Sequence, residues 1–70
     1  MTGNPIIYEI RIEGLIDGRW TEWFEGMTIM HDDNLETILI GELLDQSALH
    51  GVLNRIRDLG LNLISVRRVD

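Results

Sequence analysis

Hydrophobic and polar positions along this chain follow two periods, and the change from one to the other sets out the elements. In Ile6–Glu13, IIYEIRIE, the apolar residues Ile6, Tyr8, Ile10 and Ile12 alternate with Ile7, Glu9, Arg11 and Glu13. A period of two is that of a strand with one buried face, and Gly14 ends it. In 45–60, DQSALHGVLNRIRDLG, the period lengthens. Ala48, Leu49, Val52, Leu53, Ile56 and Leu59 fall within an arc of about 140° when each residue advances 100°, the broad stripe of a helix lying on a sheet. Ser47, His50, Asn54 and Asp58 fall opposite. Asp45 stands where an N-cap carboxylate accepts an orphan amide hydrogen bond, and Leu44 is placed to pack on Leu49 as a staple. Arg57 suits the negative end of the helix dipole, and Gly60 can take the left-handed conformation that closes the last turn. Gly51 in the middle costs about 1 kcal/mol relative to alanine. Either another backbone approaches there or the glycine is simply tolerated.

The remaining segments are shorter. In 15–26, LIDGRWTEWFEG, Asp17 offers a cap, and Leu15, Trp20, Trp23 and Phe24 on one side predict a helix of about two turns closed by Gly26. Residues 27–31 and 36–40 read as strands joined by the turn residues Asp32, Asp33 and Asn34. Residues 41–44 lead into the long helix, and 61–69 form a last strand with apolar residues on both faces. Met1–Pro5 is expected to be a flexible tail, and residues 6–70 a single compact domain.

Strand, short helix, strand, strand, long helix and strand, with right-handed crossovers, predict a ferredoxin-like βαββαβ domain of the α+β class. Its four-stranded antiparallel sheet would carry one short and one long helix on a single face, leaving the other face open. That open face, part apolar and part charged, is a liability that sheet-to-sheet or edge-to-edge dimerisation would cover.

Composition narrows the functions. The chain has 70 residues, 44% of them hydrophobic, and no cysteine. Disulfides, zinc–thiolate sites and thiol nucleophiles are excluded, and oligomerisation is the supplement most available to so small a core. No apolar run approaches the roughly 18 residues that span a bilayer, and the first ten residues lack the pattern of a signal peptide. A soluble cytoplasmic protein is expected. Twelve acidic residues face six arginines, a net charge of −6, which repels a phosphate backbone and disfavours nucleic acid. Residues 1–44 hold nine of the acids and two arginines, residues 45–70 three acids and four arginines. The acidic part of one copy could thus face the arginines of another, or both could be solvated faces.

The segments YEIRIEG, W-x-x-WFEGM and above all DQSALHGVLNRIRDLGLNLISVRR resemble a family of very small bacterial and archaeal proteins. Those proteins end in a DQ-x-x-LHG-x-L-x-x-IRDLG-x-x-L-x-SV segment. The resemblance implies a compact cytoplasmic domain of no assigned activity, and it transfers no catalytic residue. His50, Gly51, Arg57, Asp58 and Gly60 match its most recognisable positions.

No catalytic, metal or cofactor constellation stands out. His50, Asn54 and Arg57, spaced i, i+4, i+7, form a polar stripe that reads first as a solvent-facing one with a local hydrogen bond, and that could instead bind a carboxylate or hold a partner chain. His31 with Asp32 and Asp33 is poor geometry for a closed metal site and reads as an ordinary turn. Trp20, Trp23 and Phe24 read as core, with Trp20 the one that could reach the rim of a pocket or interface. Arg67 and Arg68 point to opposite faces of the last strand. One is expected to pair with Glu9 or Glu13; the other could serve an interface or ligand, with pairing alone the simpler reading. The leading expectation is a self-associating protein- or ligand-binding or regulatory module, working as a dimer. The alternatives are a small enzyme with an interface site around His50 and the arginines, or an adaptor that adds a strand to a larger protein.

Overall fold

A computed structural model describes residues 6–69; the expected tail, Met1–Pro5, lies outside the described residues. The domain is α+β. Strand β1 (Ile6–Glu13) is followed by a 3-10 helix (Gly18–Phe24), β2 (Thr28–His31), β3 (Glu36–Leu43), α1 (Gln46–Asp58) and β4 (Leu63–Val69). The strands form one antiparallel sheet in the order β2-β3-β1-β4.

The alternation in β1 sorts its side chains as its sequence predicts. Tyr8, Ile10 and Ile12 are buried, while Ile7, Glu9, Arg11 and Glu13 line the other face. Register then carries that division across the sheet. Leu39 and Thr37 of β3 lie opposite Ile10 and Ile12 on the covered face, and Glu42, Ile40, Ile38 and Glu36 belong to the open one. Strand β3 runs on to Leu43, past the expected end at residue 40, and Leu43 is buried.

Helix α1 is capped at both ends as anticipated. Asp45 accepts from Ala48 N at 2.9 Å. At the other end Leu61 N donates to Ile56 O and Gly60 N to Arg57 O, with Gly60 at φ 73°, the paired bonds of a Schellman motif. Val52 and Ile56 are buried, and Ala48, Leu49 and Leu53 pack partly against the core. The staple is not made. Leu44 is 83% exposed and takes no part in packing on Leu49.

The first helix is a 3-10 helix rather than two turns of α-helix, and this corrects the expected role of the aromatics. Asp17 caps it by accepting from Arg19 N, and the Thr21 hydroxyl donates to Gly18 O, competing locally with α-helical bonding. At three residues per turn, Trp20 and Trp23 fall on one line and Phe24 on another. The two indoles therefore meet edge to face, 6.1 Å apart, on the outside, 38% and 45% exposed, while Phe24 is fully buried. Leu15, expected inside, is 56% exposed, and Ile16 takes the buried place.

The close approach weighed for Gly51 falls at a different glycine. Space around a Cβ at Gly51 is empty to 4 Å, whereas one at Gly41 would stand 3.2 Å from Met27 Cα. Close backbone approach is thus at Gly41, beneath the buried Met27. Helix α1 packs against β3 and the 3-10 helix. Strand β4 is left largely bare: Leu63, Ile64 and Val66 are 47%, 47% and 37% exposed, though Val66 lies opposite the fully buried Ile10.

Candidate functional site

The residues singled out by sequence do not converge. His50, Asn54 and Arg57 share the outer face of α1 and are exposed. The His50 ring makes no hydrogen bond among the described residues, and Arg57 reaches only its neighbour Asp58, at 3.5 Å. Arg67 lies on the other side of the molecule, on the open face of the sheet, where its Nε donates to Glu9 at 2.9 Å. Arg67 is thus the one of the two arginines that makes the expected pairing with Glu9. Arg68 points to the opposite face, level with Tyr8. Trp20 is separate from both.

The open face carries a network centred on Arg11. Its guanidinium pairs with Asp32 at 3.0 Å, Glu36 at 3.4 Å and Glu9 at 3.9 Å, and Glu9 in turn holds Arg67. Glu13 and Glu36 stand directly opposite each other, a repulsive placement. It is tolerated because Asn62 donates to Glu13 at 2.8 Å and Arg11 to Glu36. Asp32 closes the β2–β3 turn by accepting from the backbone N–H groups of Asn34 and Glu36. Desolvation works to raise its pKa, but those two bonds and Arg11 outweigh it and hold the carboxyl below its ordinary value.

His31, Asp32 and Asp33 do not form a metal site. His31 Nε2 donates to Ile16 O at 2.7 Å, and Asp32 is engaged as described. No group of three His, Asp or Glu side chains able to hold a metal occurs among the described residues.

What sequence reasoning missed is a cleft of about 230 Å³ at the end of the domain where β1 finishes and α1 stops, lined by Leu15, Ile16, Asp17, Trp20, Leu59 and Leu61. Its lining is apolar apart from Asp17. One wall, residues 14–16, is fixed by a small hydrogen-bond cluster. Gly14 N donates to Leu35 O at 3.0 Å; the buried Thr37 hydroxyl accepts from Ile16 N at 2.9 Å and donates to Gly14 O at 2.7 Å. His31 completes it through Ile16 O. Thr37 is the one buried polar residue among those described, and its bonds leave no buried side-chain polar atom unpartnered. On the far side of the 3-10 helix Arg55 donates to Trp23 O, pairs with Glu25 at 3.0 Å and lies over the Trp23 ring at 5.1 Å.

No helix among the described residues is long and apolar enough to cross a membrane. A family model described as a domain of unknown function (DUF8691) matches residues 7–67. None of the curated proteins and none of the solved structures matches the chain.

Proposed function

The chain belongs to this family of domains of unknown function, and we propose that it is a self-associating module that binds a protein or ligand in the cytoplasm. The short bacterial and archaeal proteins sharing the DQ-x-x-LHG segment are read as members of the same family. The strand order β2-β3-β1-β4, with each helix crossing between strands on the covered side, is read as a ferredoxin-like arrangement whose first helix has shrunk to a 3-10 helix.

One observation carries the proposal: β4 is an edge strand of seven residues whose Leu63, Ile64 and Val66 are between 37% and 47% exposed. A bare edge with apolar side chains is a template for pairing, and soluble domains ordinarily shorten, charge or cover such an edge. Here the charges on the strand are Arg67 and Arg68, both near its end. A chain of this size also gains most from association, because its own core buries a smaller share of its surface than a larger domain would.

The test is size-exclusion chromatography with light scattering over about 10 to 500 μM, where a self-associating species changes its mass with concentration. A dimer mass emerging as concentration rises is expected. A constant monomer mass throughout refutes the proposal.

A further inference from the structure

If the domain self-associates, as just proposed, charge and shape decide which surface meets the second copy. On the open sheet face Glu9, Glu13, Glu36 and Glu42, with Asp32 at the edge, outnumber Arg11 and Arg67. A twofold copy laid face to face would set this excess against itself. Both arginines are also committed within the face, to Asp32, Glu36 and Glu9. They have little left to offer a partner's carboxylates.

The end of the domain around the cleft is different. Leu15, Trp20 and Leu59 at the cleft and Leu63 and Ile64 at the start of β4 are between 38% and 56% exposed. They are close in the fold, since Ile12 pairs with Leu63 and Glu13 N donates to Asn62 O at 2.9 Å. Both signs of charge border this surface, Asp17 beside Arg19 at 3.3 Å and Asp58 beside Arg57 at 3.5 Å, while Glu13 is held by Asn62 at 2.8 Å. The four ion-paired side chains are more than half exposed, so the pairs hold weakly and can exchange partners across a twofold axis. An apolar centre with a rim that carries both signs of charge can be self-complementary, as an isologous contact requires.

The size of the cleft points the same way. At about 230 Å³ it falls below the roughly 300–1,000 Å³ of sites that enclose a small molecule, and it suits a single apolar anchor of the kind interface pockets receive. Its wall is already held by Thr37, His31 and Leu35 O, so less has to be ordered on association. We infer that a second copy of this chain docks on this apolar end, around the cleft, and that the open face of the sheet stays outside the contact.

Sedimentation equilibrium over a concentration series tests this with three variants that add the same charge: Leu15→Asp and Leu59→Asp at the cleft, and Met30→Asp on the open face. All three positions are exposed, at 56%, 39% and 51%, so the fold is retained, and circular dichroism checks it. Each cleft variant is expected to raise the dimer dissociation constant about tenfold or more, and Met30→Asp to leave it within about twofold. A dimer indifferent to the cleft variants, or weakened chiefly by Met30→Asp, overturns the surface while self-association stands. A wild-type chain that remains monomeric at every concentration overturns both.

Discussion

Alanine at Gly41 and at Gly51 should change stability in opposite directions. At Gly51, in the middle of α1, the added methyl meets no atom within 4 Å. The substitution therefore brings no clash and recovers about 1 kcal/mol of helix propensity, partly by restricting the unfolded chain. At Gly41, in β3, the methyl would stand 3.2 Å from Met27 Cα and 3.4 Å from its Cγ. A side-chain tip could swing aside, but a Cα cannot. Met27 is 1% exposed, so the segment joining the 3-10 helix to β2 must shift, an overpacking cost of about 1–3 kcal/mol. With a urea m-value of about 1 kcal/mol/M for so small a chain, the midpoint should rise by about 1 M for Gly51→Ala and fall by about 1–3 M for Gly41→Ala. On heating, Gly51→Ala should melt about 4–8 °C higher. The measurement belongs at low micromolar concentration, so that the monomer is compared. A Gly51→Ala protein less stable than wild type there would refute the reasoning, since some group of the same chain must then occupy the space. Loss of stability only at high concentration would instead place a second copy against α1.

Thr37→Val keeps shape but strands the buried Ile16 N–H and frees the part-buried Gly14 C=O, and should cost about 1–3 kcal/mol in urea unfolding; an unchanged midpoint would show the wall of the cleft to be held otherwise. The folded Asp32 carboxyl titrates below its ordinary value of 3.8, so its contribution is complete above that pH and is lost as pH falls through the lower folded pKa. The stability difference between wild type and Asp32→Asn should accordingly narrow on acidification from about pH 5 to pH 2, and a difference that widens refutes the assignment. Arg55→Lys keeps the charge near Glu25 but loses the planar group over Trp23, and should cost about 0.5–1 kcal/mol with a change in near-ultraviolet dichroism.

The regular elements were readable because their signals are local. Alternation in β1 and the stripe of α1 depend on neighbours within a few residues, and so do the caps at Asp45 and Gly60. The covered and open faces follow from the same alternation once the strands pair. Errors arose where a period or a distant partner decides. Read at the α-helical period, Trp20 and Trp23 join Phe24 inside; at the 3-10 period they line up outside it. Gly51 is conspicuous because it interrupts a helix, while Gly41 sits in a strand where nothing marks the arrival of Met27. The cleft was hidden for a stronger reason. Its lining comes from two segments far apart in the chain, 15–20 and 59–61, and its wall depends on Thr37, which reads as an ordinary strand residue. Of the candidate residues, Trp20 alone reaches it.

The bare β4 stands at the edge of the sheet away from the first helix, which packs on β2. Seven residues of 3-10 helix extend about 14 Å and turn a single aromatic, Phe24, inward. Helix α1 packs against this slender element and β3, tied to it by Arg55. The covering layer is then narrower than the sheet, and the strand at the margin loses its share: Ile10 on β1 is fully buried while Val66 beside it is 37% exposed. Among the described residues Leu63, Ile64 and Val66 stay between 37% and 47% exposed, and the second copy proposed above is the partner whose concentration always equals the chain's own.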